Sequence, residues 1–197
     1  MAVAFVGVPA PRAGAPVPAL FPLLSRLRGP EYRTERSVVV MRCTIHPTTA
    51  QDVANVLLGH GSWTDNGAED GRDCMQALLE ACAVSRQVWT ASTADGEPLA
   101  LIGAAPWMQD RGLGRLWFVV LSAYGGNEAD LTMVMRLSVA EMLQVFAQLE
   151  NHVSAEKAWA LGLMRGAGFT VEAAQPSPDG VERHRVWIDA GGASGAA

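Results

Sequence analysis

The chain has 197 residues, is 49% hydrophobic and 18% charged, and carries a formal charge of −5. This balance suits one globular domain with an additional segment and excludes a disordered or collagen-like chain. The net acidity argues against nonspecific nucleic-acid binding, which needs clustered Lys and Arg, and three cysteines without CxxC or Cys/His spacing argue against a disulfide framework or a structural zinc.

Residues 1–40 stand apart. They hold six of the eleven prolines (Pro9, Pro11, Pro16, Pro18, Pro22 and Pro30) and five of the fourteen arginines against two acids, whereas the remainder holds ten basic and eighteen acidic residues. Such proline density prevents long helices and removes ladder donors from strands. The apolar run Met1–Val8 has no basic residue before it and is closed by Pro9 and Pro11, so it matches neither a secretory leader nor a membrane span. A flexible interaction arm and an extension upstream of the fold both fit. The expected organisation is an extension over 1–40 outside the fold, a domain over 41–190 and a flexible tail over 191–197.

Arg42–His46 reads as a short strand. Pro47 precedes Thr48-Thr49-Ala50-Gln51, a capping-box pattern with Gln51 as its second partner. The helix that follows places Val53, Val56 and Leu57 on one side and ends by Gly59. Asp73–Val84 is a second helix, with Met75, Leu78, Leu79 and Cys82 at helical spacing. Gln87–Ala91 is a strand, Ala94-Asp95-Gly96-Glu97 a tight turn in which Asp-Gly supplies positive φ, and Leu99–Pro106 the return strand. A connection over Gln109–Gly114 leads to Leu116–Leu121, apolar enough for burial on both faces. A glycine-containing loop, a long helix within Leu131–Gln148, a strand over Glu150–Ser154, a helix over Ala155–Arg165 and strands over Phe169–Ala173 and His184–Ile188 complete the order βααβββαβαββ. The fold class is α+β, with one mixed central sheet flanked by helices.

Three stretches carry a resemblance. The first is Ser85-Arg86-Gln87-Val88-Trp89-Thr90-Ala91 with Asp95-Gly96-Glu97-Pro98-Leu99-Ala100 and Gly103; the second is Gly114-Arg115-Leu116-Trp117-Phe118. The third is Leu149-Glu150-Asn151-His152-Val153-Ser154-Ala155, closing with Leu163-Met164-Arg165-Gly166-Ala167-Gly168-Phe169. In this order they resemble the GCN5-related N-acetyltransferase (GNAT)-like proteins of autographivirus-type short-tailed phages, which are related to a phage internal virion protein. The resemblance implies a GNAT (acyl-CoA N-acyltransferase) fold and acetyl-CoA as the cofactor to consider. It also implies a place in the host cytoplasm or packaged in the virion, with virion or host proteins as partners.

Acetyl transfer from CoA needs a loop that cradles pyrophosphate at a helix N-terminus, a base for the substrate amine and an acid for the leaving thiolate. Gln109-Asp110-Arg111-Gly112-Leu113-Gly114 fits the family's loop expression, yet it precedes a strand and opens no helix. The correctly placed loop is Ser122-Ala123-Tyr124-Gly125-Gly126-Asn127, which makes Ser122, Gly125, Gly126 and Asn127 the candidate cofactor-binding residues, although Glu128 and Asp130 follow and repel phosphate. Lys157, the single lysine, falls where the family has a cofactor-contacting asparagine; an exposed helix lysine is the alternative. Met164 falls at the tyrosine acid position, and Trp117–Leu121 carries no Glu, Asp or His. No catalytic residue and no metal ligand set is assigned.

His152 reads as a hydrogen-bonded structural histidine, His184 as an edge-strand surface residue, and Cys74 and Cys82 as small core hydrophobes. The scattered tryptophans read as packing residues rather than a base-stacking platform. The first functional expectation is a catalytically degenerate GNAT-fold component of a phage virion or its assembly. An active N-acetyltransferase acting on a protein or small amine and a host-directed binding module are the alternatives.

Overall fold

A computed structural model describes residues 5–6, 38–40, 43–59, 74–93, 95–107, 110–121 and 128–191. The elements are β1 (Phe5–Val6), β2 (Val38–Val40), β3 (Cys43–Pro47), α1 (Ala50–Gly59), α2 (Cys74–Val84), β4 (Gln87–Thr93), β5 (Pro98–Trp107) and β6 (Asp110–Val120). They continue with α3 (Glu128–Met142), β7 (Gln148–Ser154), α4 (Ala158–Gly166), β8 (Thr170–Pro176) and β9 (Glu182–Asp189). From β3 onward this is the expected order βααβββαβαββ, an α+β fold built on one mixed sheet.

The sheet runs β2-β3-β4-β5-β6-β7-β9-β8, with β1 added beside β6. Every described pairing is antiparallel except β6 with β7. Side chains alternate across the sheet, so β6 feeds two cores. Leu116 and Phe118 pack with Val134, Met135 and Met142 of α3 and with Leu161 and Met164 of α4. Trp117 and Val119 pack with Val53 and Val56 of α1 and Leu78 and Ala81 of α2. This two-sided burial is what the unbroken apolar run of β6 requires.

Several local expectations are sharpened or corrected. Gly96 has φ +85, and its N–H donates to the Thr93 carbonyl oxygen at 3.0 Å, closing the anticipated turn between β4 and β5. The capping box of α1 uses Asp52 rather than Gln51: the Thr49 N–H donates to Asp52 Oδ2 at 2.7 Å, and the Asp52 N–H donates to Thr49 Oγ1 at 3.2 Å. Thr49 is therefore the cap, which moves the reciprocal partner on by one residue, while Gln51 donates to Asn55 along the helix. The connection expected over Gln109–Gly114 is mostly strand, because β6 begins at Asp110. Its two glycines disguise a strand in sequence.

Within the first forty residues, expected outside the fold, two stretches pair with the sheet. Phe5 lies opposite Val119 and Val6 opposite Phe118 on β6, while Val38–Val40 runs beside β3. Met41 is therefore not where the sheet begins. Strand pairing is made by the backbone, so a proline-rich flank can still contribute short β-branched pieces. β9 is also an interior strand between β7 and β8. His184 is thus not on an edge: its half-buried ring donates through Nδ1 to the Glu172 carbonyl oxygen at 2.7 Å. Cys82 is buried as expected, and burial pushes its thiol pKa up to about 12.

Candidate functional site in the wedge between two parallel strands

β6 and β7 pair only at Leu113 with Gln148, Gly114 with Leu149 and Arg115 with Glu150. Gly114 marks the closed end: a Cβ there would stand 2.6 Å from Leu149 Cδ2 and 2.7 Å from Phe146 Cγ. Beyond Arg115, β6 continues to Val120 and β7 to Ser154 without pairing to each other. The two strands therefore open a wedge, and the backbone edge of β6 along it is available to something other than β7.

On the α3/α4 side, the wedge is bordered by buried Phe118, whose ring meets that of Trp159 edge-on at 6.0 Å. Trp159 comes from the first turn of α4 and is 43% exposed. Lys157 stands at the N-cap of α4 with φ −90 and ψ 59, half-buried, and its side chain makes no capping hydrogen bond. The helix end is fixed by a Schellman motif. Phe169 N–H donates to the Met164 carbonyl oxygen and Gly168 N–H to that of Arg165, both at 3.0 Å, with Gly168 at φ +97. Gly168→Ala should cost about 1 kcal/mol in urea unfolding, because a Cβ strains the left-handed conformation.

The opposite face carries a charged network that the sequence reading missed. Arg185 donates to Glu150 Oε2 through Nε (3.1 Å) and Nη2 (2.8 Å), and to Glu172 Oε1 through Nη1 (3.0 Å). Trp187 Nε1 donates to the same Glu172 oxygen at 2.9 Å. Arg115, opposite Glu150 in the register, stacks over Trp107 at 5.2 Å. Burial lowers the Arg115 pKa while the Glu150 charge opposes the shift. The hydrogen bond to Glu150 leads the causes that raise Arg185. The only hint in sequence was alternation: Glu150 and His152 on β7 and Arg183, Arg185 and Trp187 on β9 share one face. His152, expected as a hydrogen-bonded structural histidine, is exposed, because this half of the face lies beyond α1 and α2. Desolvation lowers its pKa, partly offset by Glu150.

Three residues that carry the sequence resemblance, Ser85, Gly103 and Trp117, converge on packing. Trp117 Nε1 donates to Ser85 Oγ at 2.8 Å, and Ser85 Oγ donates to the Ala81 carbonyl oxygen at 2.6 Å. Gly103 lies opposite Trp117 and leaves room for the indole. A serine–histidine–aspartate grouping also exists. His46 Nε2 lies 3.2 Å from Ser92 Oγ, and its Nδ1 lies 3.1 Å from the Pro47 carbonyl oxygen and 3.8 Å from Asp52. It is not a nucleophile: Ser92 is 2% exposed, and Asp52 Oδ2 is held at 2.7 Å by both Thr49 donors.

Ser122, Gly125, Gly126 and Asn127 lie outside the described residues, as does Tyr124, so Lys157 alone among the candidate cofactor residues is placed. In the first turn of α3, Glu128 is exposed and Asp130 buried. Met164, which the resemblance sets at the family's acid position, is 1% exposed in the core and has no proton to give. Among the described residues no group of three or more His, Cys, Asp or Glu is placed to hold a metal, and no helix is long and apolar enough to cross a membrane.

No sequence-family profile and no curated protein matches the chain. Solved structures do. AAC(6')-Ib, solved in complex with paromomycin and acetyl-CoA, matches with a TM-score of 0.58 at 15% identity over 79% of this chain and 97% of its own. A GNAT-family acetyltransferase from Streptococcus pneumoniae matches with 0.53 at 16% identity over 75% and 98%. Ribosomal-protein-S5-alanine acetyltransferase from Vibrio fischeri matches with 0.58 at 10% identity over 79% and 97%. At such identities the likeness is one of architecture, and the chain has the GNAT, acyl-CoA N-acyltransferase, fold.

Proposed function

We propose that this protein is a catalytically degenerate GNAT-fold component of a phage virion or its assembly, which keeps a cleft for an acyl-CoA ligand. The carrying observation is a pair of facts at one site. The β6–β7 wedge is present, while the residue at the proton-donor position is the core methionine Met164. The arm of acyl-CoA is an extended chain with two amides, which suits the backbone edge of β6 that β7 leaves beyond Arg115, where β1 pairs at Phe118 and Val119. The phosphate end is less well served, since Glu128 and Asp130 stand in the first turn of α3. Bound acetyl-CoA would present a thioester to an amine; the β6 edge would orient its arm, and Trp159 would shield it from water.

The phage assignment rests on the motif resemblance, with virion or host proteins as partners and the host cytoplasm or virion as the location. Isothermal titration with acetyl-CoA, paired with an assay for released CoA over a panel of amines, tests the biochemical half. Micromolar binding without turnover is expected. Turnover would overturn degeneracy. Mass spectrometry of purified virions tests the other half, and its absence from virions would overturn the packaged role.

The second reading is an active N-acetyltransferase. It is favoured by exposed His152, whose lowered pKa keeps the imidazole neutral and able to accept a proton from an amine. On that reading His152→Gln abolishes CoA release and leaves acetyl-CoA affinity unchanged.

A further inference from the structure

We propose that the N-terminal strand β1 is a built-in competitor for the ligand edge of β6, so that this protein closes its own acyl-CoA cleft. The inference rests on the ligand reading above and adds a regulation of the same site.

At Phe118 and Val119 the two edges of β6 have different partners. One edge is taken by β5, with Ile102 opposite Phe118 and Leu101 opposite Val119. The other edge, left by β7 after Arg115, is taken by β1, with Val6 opposite Phe118 and Phe5 opposite Val119. β1 also lies against β7. The short strand therefore stands inside the wedge, between the two parallel strands, and not on the outer rim of the sheet.

The occupancy is exclusive. Each backbone N–H and C=O of the β6 edge that pairs with β1 is withdrawn from an extended amide ligand, because both approach in the same plane from the same side. It is also weak. Two residues make few ladder hydrogen bonds, each worth about 1 kcal/mol net, in contrast to the seven-residue register of β7 with β9. What keeps so short a strand in place is tethering: a linked segment acts at an effective concentration in the millimolar range. A closed form of this kind lowers apparent ligand affinity by the fraction of molecules that are open.

The test uses the full chain and a full-length variant carrying Phe5→Pro and Val6→Pro, which removes both N–H donors of β1. Hydrogen exchange reports on the amides around Phe118 and Val119, and titration with acetyl-CoA reports on the cleft. In the variant, protection at Phe118 and Val119 falls and acetyl-CoA binds about tenfold more tightly. A synthetic peptide of residues 1–10, added to the variant, weakens acetyl-CoA binding again. Unchanged protection, or equal affinity in the two proteins, overturns the competition alone. If neither protein binds acetyl-CoA at millimolar concentration, the ligand reading fails and the competition with it. Val6→Pro alone gives the same sequence of outcomes at smaller amplitude should the double variant misfold.

Discussion

Gly103→Ala is expected to destabilise the protein by about 3 kcal/mol, the upper end of what overpacking a core usually costs. A Cβ at this position would stand 2.4 Å from Trp117 Cζ2, 2.5 Å from Cε2 and 2.7 Å from Nε1. The indole has nowhere to retreat, since Trp117 is fully buried and its Nε1 is anchored on Ser85 Oγ. Gly103 is central to β5, hydrogen-bonded between β4 and β6, so the backbone cannot give way cheaply. Thermal melting should show a loss of about 6–12 °C. Trp117→Phe in the same background should recover part of it, and the double-mutant cycle should show strong coupling. A wild-type melting temperature in Gly103→Ala would disprove this account of the Ser85–Gly103–Trp117 unit.

Arg185→Met is expected to cost about 2 kcal/mol. Glu150 has 8% of its side chain exposed, whereas Arg185 has 39%, so the pair is buried on the acidic side only. Removing the guanidinium leaves a carboxylate in a low-dielectric site with its two Arg185 donors lost, a larger penalty than losing an exposed pair and a smaller one than breaking a fully buried pair. Glu172 and Trp187 lose their organising neighbour at the same time. Adding Glu150→Gln to Arg185→Met should therefore restore stability rather than reduce it further. Urea unfolding of the two single variants and the double variant measures this directly, and simple additivity would show that the network contributes no coupling.

The parts of the fold that could be read from sequence are those decided locally. Gly96 closes a turn within four residues, and Gly168 with Phe169 caps α4 within six, so their residue types identify them without knowledge of the rest. The strand–helix order from β3 to β9 follows from hydrophobic period alone. What could not be read depends on partners distant in the chain. Nothing in Glu182–Asp189 says that it enters between β7 and β8, so the sequence alone reads His184 as an edge residue. The Glu150–Arg185–Glu172 network spans three strands, and each member alone reads as a surface charge. Thr49 and Asp52 were one residue from the predicted cap, within the usual uncertainty of helix boundaries. At the candidate site, the methionine that the resemblance sets at the family's acid position is legible as Met164, because a single position decides it. The wedge was not, because it exists only through where the β6–β7 register stops.

The interior position of β9 bears on how the chain is made. β7 finds one of its sheet neighbours, β6, earlier in the chain, but the other, β9, leaves the ribosome only after α4 and β8. Until then β7 presents a bare edge from Gln148 to Ser154, and β8 has no place in the sheet to occupy. The β8–β9 hairpin must dock as a unit, completing the sheet by long-range closure late in synthesis. Nascent chains stalled between β8 and β9 would thus expose a seven-residue pairing surface, making chaperone capture at that stage a property of the topology itself.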